Sequence, residues 1–141
     1  MADVAQLRKR VRSAIDAARR EDAERKVRAT DATRAYEVFL DAVAVPVVKQ
    51  VAMALKAEGV PFDVITPSGA VHLVWERRRD DGIAIALDAT TDPPSPMVTI
   101  TRARGGRNLR TERPVKRDTP IAQLTEDDVV AMLLEELRPW L

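Results

Sequence analysis

The apolar residues of this chain change their spacing near Gly59, and no other feature constrains the fold as much. Before Gly59 they recur every three or four positions, at Tyr36, Phe39, Leu40, Val43, Val47, Val48, Val51 and Leu55. After it they recur at every second position, at Phe62 and Val64, then Val71, Leu73 and Trp75, then Ile83, Ile85 and Leu87. The first period belongs to helices with one buried face, and the second to strands with one buried face. A chain of 141 residues is long enough to build one core. The expected class is therefore α+β: N-terminal helices packed on a roughly five-stranded antiparallel meander sheet, with a C-terminal helix. Residues 1–30 read as a charged helical arm and residues 31–141 as a single α+β domain.

The arm has little to bury. Val4, Leu7, Val11 and Ile15 form a narrow apolar stripe at helical spacing, and the stretch from Arg19 to Asp31 is almost wholly charged. Glu21 with Arg25, Asp22 with Lys26 and Glu24 with Arg28 fall one turn apart, and such pairs keep a solvated helix helical without burying it. A helix this poor in apolar residues is marginal alone, so its stripe is expected to pack on the domain, a partner or a second copy. Thr30 or Asp31 can cap a second helix, or one helix can run straight through. Pro46 lacks a backbone donor, which predicts a kink or break at Val45 and a further helical segment to Lys56 or Ala57. Gly59 is placed to end it.

Five strands follow: 61–66, 70–77, 83–89, 97–103 and 108–113. Pro67-Ser68-Gly69, Arg79-Asp80-Asp81-Gly82 and Gly105-Gly106 are turn sequences, and the proline-rich loop 91–96 cannot join a ladder. Pairing of residue 65 with residue 70 places Phe62, Val64, Val71, Leu73 and Trp75 on a core face. Asp63, Ile65, His72, Val74 and Glu76 then share the other face, open to water or a partner. Thr125 is an N-cap, and the acids Glu126, Asp127 and Asp128 suit the positive end of a helix dipole. Val129, Val130, Leu133, Leu134 and Leu137 form that helix's stripe. Pro139 stops it, and Trp140 and Leu141 are expected to fold back on the body.

With no cysteine and one histidine, disulfides, thiolate chemistry and histidine-rich metal clusters within the chain are excluded. The net charge is +1, so binding to an anionic partner requires a local patch. The N-terminus does not read as a secretory signal. The longest uninterrupted apolar run, Ala42 to Val48, is too short to span a bilayer. A cytoplasmic protein without membrane contact or cofactor is the expectation.

Three surfaces can carry function. The first is the arm stripe of Val4, Leu7, Val11 and Ile15. The second is the basic hairpin 102–117, where Arg102, Arg104, Arg107, Arg110, Arg113, Lys116 and Arg117 are set against only Glu112 and Asp118. A basic β-ribbon can track phosphates or hold an acidic partner. It has no aromatic residue to stack a base, and Arg77, Arg78 and Arg79 can add to its edge. The third is Asp63 opposite His72, with Glu76 on the same face, where an acid can orient an imidazole base. Asp63 with Glu76-Arg77-Arg78 also resembles the acid-hairpin-acid-x-basic layout of the restriction-endonuclease-like nucleases. That resemblance implies a divalent ion held by Asp63 and Glu76. Arg78 stands where that motif has lysine, and the meander departs from the element order of those enzymes.

The leading expectation is a non-enzymatic protein-binding or adaptor module in a homo- or hetero-oligomeric assembly. A nucleic-acid-binding protein using hairpin 102–117 comes next. An enzyme using Asp63, His72 and Glu76 comes last.

Overall fold

The computed structural model describes residues 3–141. Helix α1 (Val4–Phe39) opens on Asp3, whose carboxylate accepts from the Ala5 amide at 3.1 Å. It runs without interruption through residue 30. Neither Thr30 nor Asp31 caps a new helix: both lie inside α1, and the Thr30 hydroxyl donates back to the Lys26 carbonyl one turn earlier. A single π turn (Leu40–Ala44) then joins α1 to α2 (Val45–Ala57). The break expected at Val45 is thus a widened turn just before it, where the Val45 amide reaches back five residues to the Leu40 carbonyl. Pro46 follows directly, and the widened turn before it accommodates the proline's missing donor inside the continuous helix.

The resulting continuous helix, Val4–Ala57, is 54 residues long and contains an 18-residue window of mean hydropathy 1.8. By length and composition alone that window is apolar enough to cross a membrane, a test that the core helix of a soluble protein also passes. It must lie beyond the charged arm, and 39% of it is buried in the fold. There Phe39, Leu40, Ala44, Val47, Val48, Ala52 and Leu55 belong to the core.

The sheet is a five-stranded antiparallel meander in the order of the chain: β1 (Phe62–Ile65), β2 (Ala70–Trp75), β3 (Gly82–Asp88), β4 (Ser95–Arg104) and β5 (Arg107–Pro114). Its core face carries Phe62, Val71, Leu73, Ile83, Ile85, Val98 and Ile100, all packed in one cluster with the helices. Helix α3 (Glu126–Glu136) closes the cluster. Its start is a capping box, in which the Asp128 amide donates to the Thr125 hydroxyl and the Thr125 amide to the Asp128 carboxylate. Its buried residues are Val129, Met132, Leu133 and the following Leu137. Leu134, expected in the stripe, is 50% exposed, and Met132 takes its place inward. Trp140 folds back to meet Phe62 edge-on at 5.7 Å, whereas Leu141 stays exposed.

Two contacts fix how the helix sits on the sheet. The Tyr36 hydroxyl donates to the Gly69 carbonyl at 2.7 Å, locking α1 to the β1–β2 turn. The Arg28 guanidinium grips Asp92 through two nitrogens at 3.2 and 2.9 Å, tying the helix to the proline-rich loop. That guanidinium holds the Asp92 carboxyl below the ordinary carboxylate range. Arg28 therefore pairs across the fold and not with Glu24 on its own helix; within the arm, Arg25 pairs with Asp22.

Gly82 opens β3 at φ +157°, and a Cβ built there would lie 2.1 Å from the Leu73 carbonyl oxygen. Gly82→Ala is expected to destabilise the fold by on the order of 2–3 kcal/mol, read by denaturant unfolding. The chain's single tyrosine is Tyr36, so its titration is read directly by absorbance near 295 nm. Burial pushes its phenol up to about 12. A group raised in the folded state stabilises the fold below its unfolded value and loses that contribution as pH rises. The interlock is therefore expected to weaken between about pH 10 and 12. Tyr36→Phe, which leaves the Gly69 carbonyl without this donor, should cost about 1 kcal/mol.

Candidate interaction surfaces

From Asp3 to Arg28 every side chain of the helix is exposed. Among the described residues, Arg28–Asp92 is the first ion pair that joins this helix to the body. The stretch Val4–Val27 alone is about 36 Å long at 1.5 Å per residue. Along it, Val4, Leu7, Val11 and Ile15 stand 69%, 51%, 50% and 45% exposed. Val4 and Leu40 are separated by about ten full turns at 3.6 residues per turn, so they share an azimuth. Leu40 is buried in the core. The arm's stripe thus prolongs the helix face that packs on the sheet, past the point where the sheet ends. At the arm's base a shallow cleft of about 400 Å³ lies between Arg28, Ala32 and Ala35 on one side and Pro93, Pro94 and Ile121 on the other.

The structure divides the basic hairpin. Arg110 pairs with Glu112 at 3.5 Å. Arg113 is held by Glu135 and Glu136 of α3 at 3.1 Å each, and its side chain is 28% exposed. Lys116 pairs with Asp128 at 3.4 Å. Arg113 and Lys116 thus tie the end of the hairpin to α3, whereas Arg110 pairs within its own strand. Among the described residues, Arg102, Arg104, Arg107 and Arg117 form no ion pair. The register sets Arg104 opposite Arg107 and Arg102 opposite Leu109. Arg102, Arg104 and Arg107 accordingly share one side of the hairpin, while Arg110 points to the other.

The β2–β3 turn joins this end of the sheet. Arg78 donates to Asn108 at 3.2 Å, and the buried Asp81 accepts from the Ala103 amide at 3.1 Å. Arg77 lies over the Trp75 ring, 5.5 Å from its centroid, a contact invisible in the residue pattern.

Asp63 and His72 are not partners. The register pairs Ile65 with His72 and Asp63 with Val74, two positions away from the expected pairing. The turn is centred on Ser68-Gly69 and closed by the Ala70 amide donating to the Pro67 carbonyl at 3.0 Å. A shift of two preserves which face each side chain takes but changes its neighbour. Asp63 instead meets Lys56 at 3.0 Å and Arg79 at 3.1 Å, and Lys56 also meets Glu76 at 3.1 Å. These cations, Lys56 foremost, hold the Asp63 carboxyl below its ordinary range, and the same bonds raise the Lys56 ammonium.

The Lys56 ammonium thus takes the position between Asp63 and Glu76 that a divalent ion would occupy in the nuclease layout. The residues present do not fit that metal. Among the described residues, no group of three or more histidine, aspartate or glutamate side chains is placed to hold a metal ion. His72 lines a shallow depression of about 310 Å³ on the outer sheet face with Val74, Ala84, Thr99 and Thr101. Small and β-branched side chains make this face flat, and the helices all lie on the opposite side.

Compared with protein-family models, curated proteins and solved structures, the chain matches none of them.

Proposed function

We propose that the protein is a non-enzymatic subunit of an assembly, docked through the stripe of its N-terminal arm, with a second copy of the same arm as the occupant that best fits. The observation that carries this reading is the arm itself. It is a helix of more than six turns whose side chains are all exposed up to Arg28 and which, among the described residues, forms no ion pair with the body before Arg28. Helices of this composition are marginal alone in water, and a partner covering Val4, Leu7, Val11 and Ile15 would supply the missing burial.

Charge order favours an antiparallel pair. Arg8, Lys9, Arg10 and Arg12 lie in the first half of the arm with no acid beside them, whereas in residues 16–27 Asp16, Glu21, Asp22 and Glu24 balance Arg19, Arg20, Arg25 and Lys26. A parallel pair would set the basic halves against each other. An antiparallel pair sets each basic half against the half that carries the acids.

Light scattering after size-exclusion chromatography tests this. The full chain is expected to be a dimer or larger. Leu7→Glu with Val11→Glu, or removal of residues 1–27, should give a folded monomer. A monomer at every concentration, with an arm cut readily by protease, would overturn the proposal.

A further inference from the structure

The β4–β5 hairpin outgrows the sheet that carries it. The last pair between β3 and β4 is Gly82 with Thr101. Beyond it, 102–109, 103–108 and 104–107 pair only with each other. These three pairs form a two-stranded ribbon that projects about 10 Å past β3 at 3.3 Å per residue. Gly105 and Gly106, at φ +57° and +78°, close its tip, and no atom lies within 4 Å of where a Cβ would stand on either. The tip is therefore narrow and unobstructed.

Its charge does not serve the fold. Arg104 stands directly opposite Arg107, a like-charged cross-strand pair that opposes pairing. Arg102 joins them on the same side. Every basic residue from Arg110 to Lys116 is neutralised by an acid, yet these three have none among the described residues. The ribbon is also braced at its middle pair, by Asp81 on the Ala103 amide and Arg78 on Asn108, so its direction is fixed.

We propose that ribbon 102–109 binds the phosphate backbone of duplex DNA, with Arg102, Arg104 and Arg107 as the contacts. A two-stranded ribbon fits the major groove of a B-form duplex, and arginine forks match phosphate oxygens. Single strands are disfavoured because the ribbon has no aromatic residue and Arg77 already lies over nearby Trp75. This inference stands on the hairpin and is independent of the arm.

The test is fluorescence anisotropy with a labelled duplex DNA of mixed sequence. Three phosphate contacts predict a slope of log affinity against log salt of about −2.7, or roughly a 40-fold loss between 50 and 200 mM salt. Arg104→Glu with Arg107→Glu should abolish binding. Lys49→Glu, on the exposed face of α2, should change affinity less than about threefold. Circular dichroism checks folding, and Arg104→Gln with Arg107→Gln gives the same reading should the glutamate variant misfold. No binding at 50 mM salt, an unchanged affinity of both double variants, or tighter binding of the matching single strand than of the duplex would overturn the proposal. Arm variants that are monomeric but still bind DNA leave it standing.

Discussion

Everything in this structure depends on the burial of one helical face against one sheet face. Tyr36, Phe39, Leu40, Ala44, Val47, Val48, Ala52 and Leu55 meet Val71, Leu73, Ile83, Ile85 and Val98 in a single cluster, which α3 closes with Val129, Met132, Leu133 and Leu137. Each large side chain fully removed from water contributes about 1.5–3 kcal/mol. The sheet needs only the second half of the long helix to cover it. The π turn at Leu40–Ala44 lets the helix accept Pro46 without leaving the sheet. The first half of the helix receives no such cover from its own domain.

Much of the architecture is legible in the residues, because burial on one face writes a period into the chain. The alternation from Phe62 onward gives the core face, the turn residues give the meander, and Thr125 with its acids gives the start of α3. What the pattern does not carry is phase finer than its own repeat. The first hairpin is displaced by two residues, which the alternation permits, and so Asp63 faces Val74 instead of His72. In α3, Leu134 and Met132 lie on adjacent stripes, and only the direction of the sheet selects Met132.

The surfaces were less legible than the core, for a related reason. A row of arginines reads as one basic patch, but side-chain alternation sends Arg110 to one side and Arg107 to the other. Acids far along the chain then decide which charges are spent. Glu135, Glu136 and Asp128 of α3 take Arg113 and Lys116, pairs that no local spacing reveals. The projecting ribbon comes from a difference in strand reach, with β3 starting only at Gly82, opposite Thr101, while β4 continues to Arg104. The cross-fold grip of Arg28 on Asp92 spans 64 positions and could not be read from helical spacing.

The unbroken passage of the helix from the arm into the core has a consequence for how this chain can change. Because no joint separates Val4 from Leu40, length and rotation of the arm are one variable. A single inserted residue between them lengthens the arm by about 1.5 Å and also turns its stripe by about 100° relative to the sheet. The arm can therefore grow or shrink without losing its aim only by near-whole turns, in steps of about seven, eleven or eighteen residues. A flexible tether would tolerate any length, whereas this helix works as an indexed shaft whose setting is fixed where it enters the core.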